Sequence, residues 1–137
     1  MNFKEIHLGH LIKIKVTESN IKIDRICNFM KCTPEEVDKM YKKENLPSDI
    51  LLKWSKLLEY DFFRIYSQHL ILYAPVSADK SKRNKTKLPM FRKNIYTQEI
   101  IDFILEQIKT KQMTKIEVID RYRIPKTTLY KWINKHG

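Results

Sequence analysis

The sequence predicts an all-α protein of two small helix-turn-helix domains joined by a basic linker. Only two glycines and five prolines occur in 137 residues, which argues against a turn-rich β fold. Apolar residues recur at three- and four-residue spacing through most of the chain, as in amphipathic helices. Helix-start signals stand at Thr33 and Thr114, each followed three residues later by Glu. A chain of this length holds one ordinary domain or two very small ones.

The charge distribution divides the chain into three segments. Lys and Arg number 27 against 16 Asp and Glu, for a net charge of +11, which favours a polyanionic partner such as nucleic acid. Residues 76–95 hold seven basic side chains and one acidic side chain, and apolar periodicity disappears there. The sequence therefore predicts a helical domain over residues 1–75, a basic linker or arm over 76–95, and a DNA-binding domain over 96–137.

Five helices are predicted in the first segment. The third has the clearest start, because Thr33 is a typical N-cap, Pro34 suits the first helical position and Glu36 completes a capping box. The predicted helices are centred on residues 8–16, 23–30, 34–43, 50–58 and 62–72.

Three helices are predicted in the last segment. Thr97 caps the first, and the Thr114 capping box opens a short second helix with Ile116, Ile119 and Tyr122 facing inward. Residues 123–125 form the turn before the final helix. The inward residues of that helix are Leu129, Trp132 and Ile133.

The opposite face of the final helix is polar and basic. Side chains three and four residues apart share a helix face, so this face combines Lys, Thr, Tyr and Asn side chains. Such side chains bond base edges or neutralise phosphates. The alternative is an ordinary amphipathic helix with a solvated face. The predicted DNA contacts of this domain are Lys115, Lys126, Thr127, Tyr130, Lys131 and Asn134.

The stretch from Thr114 to Ile133 resembles the helix-turn-helix of small bacterial insertion-element transposase proteins. The resemblance includes the Leu-Tyr-Lys-Trp run that ends at Trp132, a signature of that family's recognition helix. It implies duplex DNA binding through Thr127, Tyr130 and Lys131. Pro125 departs from the family pattern, which usually has a Ser N-cap there.

The first 75 residues resemble the phage-repressor type of helix-turn-helix, with Ile26-Cys27 in the second helix and residues 51–58 in the helix that follows the motif. Residues 57–67 also look like short bacterial proteins commonly labelled transposases. The third helix nevertheless carries three carboxylates, which phosphate repels. Its expected state is a solvated helix with Glu35–Lys39 and Asp38–Lys42 pairs. This half is therefore expected to dimerise or to dock a protein.

The basic arm has two interpretations. It is a solvated linker, and it also suits phosphate tracking or minor-groove contact beside a recognition helix. The residues predicted to make those contacts are Lys82, Arg83, Lys85 and Lys87.

No catalytic, metal or cofactor site is predicted. The histidines and the two cysteines lack metal-ligand spacing, and the acidic residues lack a scaffold that would converge them. The thiols are expected to be reduced and to serve helix packing in a cytoplasmic, nucleoid-associated protein. No membrane contact or small-molecule substrate is expected.

The predicted function is sequence-preferring double-stranded DNA binding without catalysis, in a transposase-like recognition subunit or a transcriptional regulator. The alternative is a protein-interaction module, either a homodimer or a docking partner of a transposase, that binds nucleic acid only weakly and without sequence preference.

Overall fold

The computed structural model describes residues 1–76, 86–91 and 95–136. Every regular element within those ranges is an α-helix, which confirms the predicted all-α class. The helices are α1 (Leu8–Ser19), α2 (Ile23–Met30), α3 (Pro34–Tyr41), α4 (Ser48–Leu58), α5 (Phe63–Tyr73), α6 (Gln98–Lys109), α7 (Lys115–Tyr122) and α8 (Lys126–His136).

Two compact units make up the chain. One is Asn2–Tyr66, and the other is Ser67–Gly137 together with Met1. The division falls inside α5, so residues 67–73 belong with the C-terminal helices. The boundaries drawn from the sequence at residues 75 and 95 stay predictions, because most of the linker lies outside the described residues.

The N-terminal unit is organised around Trp54 of α4. Helix α1 packs on α3 and α4, and α2 packs on the same two helices. Trp54 is fully buried, and its ring lies 6.1 Å from that of Tyr41. The apolar side chains buried around it come from every helix of the unit, as the spacing in the sequence predicts. They include Leu8, Ile12, Ile26, Met30, Val37, Leu51, Leu58, Phe62 and Ile65.

Gly9 allows α1 to touch the backbone at the end of α3. A β-carbon at this position would collide with the carbonyl oxygens of Met40 and Tyr41. The backbone N–H of Gly9 also donates to the Lys43 carbonyl at 2.9 Å. This direct backbone contact leaves room only for glycine at position 9.

The helix starts follow the predicted caps. Thr33 and Thr114 each accept a hydrogen bond from the backbone N–H of the Glu three residues later, at 3.2 Å in both cases. Each Glu carboxylate accepts in return from the Thr backbone N–H. Both predicted capping boxes are therefore confirmed.

Gln68 is a buried polar side chain that ties α5 to the start of α6. Its Nε2 donates to the Ile95 carbonyl at 2.6 Å, and its Oε1 accepts from the Thr97 N–H at 3.2 Å. Thr97 then caps α6 by accepting from the Ile100 N–H at 3.3 Å. Gln68 is 3% exposed, so these bonds satisfy polar groups that water does not reach.

Candidate nucleic-acid interface

Helices α7 and α8 are joined by a turn of three residues. Arg123 ends α7 in the left-handed conformation, with φ 56° and ψ 40°. Ile124 is then buried, and the Pro125 carbonyl accepts from the Leu129 N–H at 3.1 Å as α8 begins. The left-handed residue reverses the chain, and the buried Ile124 anchors the turn to the core of the unit.

One face of α8 is buried against the rest of the C-terminal unit. Leu129 and Trp132 form its inward stripe, and Ile133 is half-buried. The Trp132 ring meets that of Tyr96 edge to face, with centroids 4.9 Å apart. The chain segment before α6 therefore packs directly on α8. Other buried side chains of this core are Ile71, Leu72, Ile100, Ile104, Val118 and Tyr122.

The opposite face of α8 is exposed and has no negative charge. The sequence of the helix contains no acidic residue. All five residues of α8 that the sequence predicted as DNA contacts lie on this exposed face: Lys126, Thr127, Tyr130, Lys131 and Asn134.

Two ammonium groups converge on the Tyr130 ring. The Nζ of Lys115 lies 5.5 Å from the ring centroid, and the Nζ of Lys126 lies 5.7 Å from it. Lys115 is the first residue of α7 and Lys126 the first of α8. A cation is disfavoured at a helix N-terminus, because the helix dipole places partial positive charge there. Helix stability therefore does not explain the two lysines, whereas an anion bound at this face would.

Ile116 corrects the sequence-based prediction for α7. The sequence placed it on the inward face, but its side chain is 73% exposed. Val118 is buried instead, together with Tyr122, which was predicted to face inward, and the two share a face because they are four residues apart. Ile116 is two residues from Val118 and thus lies on the other side of the helix, beside Lys115.

Three of the four predicted arm contacts, Lys82, Arg83 and Lys85, lie outside the described residues. Lys87 is described, and its side chain is exposed. The four residues that follow it, Leu88-Pro89-Met90-Phe91, belong to no helix and are exposed as well.

The outward face of α3 differs from that of α8. Glu35, Glu36 and Asp38 are all exposed on it. The predicted Glu35–Lys39 and Asp38–Lys42 pairs are not formed: within the described ranges, the ion pair closer than 4.0 Å is Asp61–Arg64, at 3.2 Å. Exposed side chains gain little from such pairing in water, so the absence of these pairs costs the helix little.

His7 and the two cysteines have local structural contacts. The Nδ1 of His7 accepts from the His10 N–H at 3.1 Å and so caps α1. Cys27 and Cys32 are free thiols, and burial together with the neighbouring Cys27 raises the pKa of Cys32. Among the described residues, no cluster of three or more His, Cys, Asp or Glu side chains is placed to hold a metal ion. Nor does any helix in those ranges have the length and apolar character to cross a membrane.

Comparisons with protein-family models, with curated proteins and with solved structures found no match to this chain.

Proposed function

We propose that the chain is a duplex DNA-binding protein of the helix-turn-helix type, and that α8 is its recognition helix. The observation that carries this proposal is the convergence of Lys115 and Lys126 on Tyr130, at the edge of an exposed helix face without acidic residues. Lysines at two helix N-termini neutralise phosphates, and the backbone N–H groups of the first turn of α8 add to the attraction.

The two sides of α8 support different roles in this proposal. Leu129 and Trp132 hold the helix in the unit, so the backbone positions that carry the outward side chains are fixed. Thr127 and Asn134 offer donors and acceptors that match base edges in the major groove, and Lys131 adds a charge beside them. We assign base reading to this face and phosphate contact to its N-terminal edge. The process served is transposition or transcriptional regulation, and no catalytic step is proposed.

A second candidate function belongs to the N-terminal unit. The exposed carboxylates of α3 repel phosphate, so α3 is a poor DNA reader despite its position after a tight turn. Glu35, Glu36 and Asp38 instead suit a protein partner with a basic surface, either a second copy of this chain or a transposase.

The test is selection of duplexes from a random pool with the full chain, followed by gel retardation at several salt concentrations. We expect an enriched sequence, and log affinity that falls by about 0.9 per log unit of salt for each phosphate neutralised. Replacing Thr127, Lys131 and Asn134 together with Ala should abolish the sequence preference. An unchanged preference would exclude α8 as the reading helix.

The matched control replaces Glu35 and Asp38 together with Ala and keeps Glu36, whose carboxylate completes the α3 capping box. These residues are also exposed on a short helix after a tight turn, so the substitution tests for a general effect of altering such a helix. We expect it to leave the selected sequence unchanged. Equal affinity of the unaltered chain for random and selected duplexes, together with a stable protein complex, would favour the second candidate.

A third variant distinguishes the contribution of the basic arm to duplex binding from that of α8. Removing the charges of Lys82, Arg83, Lys85 and Lys87 should weaken binding to all duplexes similarly and lower the salt slope. The preference for the selected sequence should persist.

A further inference from the structure

A short apolar segment stands exposed within the basic arm. Phe91 is 91% exposed, Leu88 74% and Met90 56%, and Pro89 is exposed as well. No other large apolar side chain among the described residues is as exposed as Phe91. Adjacent apolar side chains held in water in this way mark a contact site, because burying them removes apolar area from water.

The charges around this segment indicate an anionic partner. Lys85 and Lys87 precede it in the sequence, and Arg92 and Lys93 follow it. An apolar insert between basic residues fits two polyanionic surfaces, a DNA minor groove and an anionic membrane. Membrane binding by a peripheral segment generally relies on an amphipathic helix with a broad apolar face. Four non-helical residues around a proline do not form one, so the DNA interpretation is favoured.

The segment is tethered close to α8. Five residues after Phe91, the Tyr96 ring packs on Trp132 of α8, and Gln68 bonds the backbone on both sides of Tyr96. Five residues of chain span at most about 18 Å. Phe91 therefore reaches only DNA within about five base-pair steps of Tyr96, at roughly 3.4 Å per step.

We infer that Leu88 and Phe91 form a wedge that inserts between base pairs from the minor groove and kinks the duplex beside the α8 site. Apolar wedges of Phe, Leu, Met and Pro kink DNA in this way, by roughly 20–90°. This inference rests on the proposed function and adds to it a bend and the residues that produce it.

The test uses the full chain and a short A·T-rich duplex with TA steps, which unstack easily. Donor and acceptor dyes at the two duplex ends report the bend, and 2-aminopurine placed next to each TA step in turn reports unstacking. The unaltered chain should bend the duplex and raise the fluorescence at one step. The Leu88→Ser, Phe91→Ser double variant should bind without either signal. Its salt slope should be unchanged, because no charge is removed.

The matched control is the double variant Ile14→Ser, Leu52→Ser, which removes two exposed apolar side chains from the N-terminal unit. It should bend the duplex like the unaltered chain. Equal bending by the Leu88→Ser, Phe91→Ser variant, or no bending by the unaltered chain while it binds, overturns the wedge and leaves the proposed function intact.

Two further outcomes are decisive. If the unaltered chain does not bind the duplex even at low salt, the proposed function and the wedge both fail. Vesicles of anionic phospholipid provide the competing arm of the test. If the Leu88→Ser, Phe91→Ser variant loses vesicle binding but bends DNA normally, the segment is a membrane contact and the wedge is overturned.

Discussion

The α2–α3 pair and the α7–α8 pair have the same kind of turn between their two helices. In each, an eight-residue helix ends at a basic residue in the left-handed conformation, Lys31 with φ 57° or Arg123 with φ 56°. The next helix begins three residues later. The fourth residue of that helix, Val37 or Leu129, is fully buried. In both pairs, therefore, the same turn places the fourth residue of the second helix in the core.

The surfaces of the two pairs are opposite in charge. The first turn of α3 carries Glu35 and Glu36, where carboxylates favour the helix. The first turn of α8 carries no acidic residue and begins with Lys126, where the charge opposes the helix dipole. The α3 surface thus serves helix stability, and the α8 surface suits an anionic ligand. A shared backbone does not imply a shared partner.

The largest expected effect comes from removing the buried tryptophan of each unit. Trp54→Ala and Trp132→Ala should each cost about 3–5 kcal/mol of unfolding free energy. Because the chain has two tryptophans, each variant keeps one fluorescent reporter in the other unit. We expect Trp132→Ala to abolish duplex binding and Trp54→Ala to retain it. Loss of binding in Trp54→Ala, with Trp132 fluorescence still native, would show that DNA contact needs both units.

Charge reversal in the first turns of α8 and α3 should show that the charges there affect helix stability and duplex binding differently. Lys126→Glu places a carboxylate at a helix N-terminus, which favours folding by about 0.3–1 kcal/mol. The same change should weaken duplex binding and lower the salt slope by about one or more. Glu35→Lys should destabilise the chain by a similar amount without creating a sequence preference. Thermal unfolding and gel retardation check both variants, and weaker folding in Lys126→Glu would contradict the dipole argument.

Local sequence signals predicted most of the fold. Thr33 and Thr114 marked helix starts correctly because a capping box involves residues only three apart. The role of Gln68 was not predicted, because its partners lie 27 and 29 residues away. A polar residue on the apolar stripe between Ile65 and Leu72 was the available signal.

The sequence predicted which residues of α8 face outward, but not how side chains of α7 and α8 come together. Helical spacing places Lys126 and Tyr130 on the outward face of α8 without reference to other elements. The approach of Lys115 to Tyr130 depends on how α7 crosses α8, which local periodicity does not encode. Ile116 was misplaced because a short helix has few positions to define its buried face.

Glycine at the left-handed residue that follows α2, and at the one that follows α7, should have an effect no larger than those charge reversals. Lys31→Gly and Arg123→Gly remove the steric cost of a β-carbon there, which outweighs the added freedom of the unfolded chain. We expect each to raise the free energy of unfolding by up to about 1 kcal/mol. Lys31→Ala and Arg123→Ala are the matched controls, because they remove the charge but keep the β-carbon. A gain at only one turn would mean that the two backbones differ in strain.

The smallest expected effect concerns the last residue of α3 and of α7. Burial raises the pKa of both tyrosines, and the Asp38 charge raises that of Tyr41 further, whereas Arg121 lowers that of Tyr122. A raised pKa keeps the folded phenol neutral, so its contribution is complete below the unfolded pKa of about 10 and is lost as pH rises through the folded value. Tyr41→Phe should therefore reduce the alkaline loss of stability more than Tyr122→Phe. Unfolding free energies measured on both sides of pH ~10 test this order. A larger effect of Tyr122→Phe would contradict the opposite effects assigned to the Asp38 and Arg121 charges.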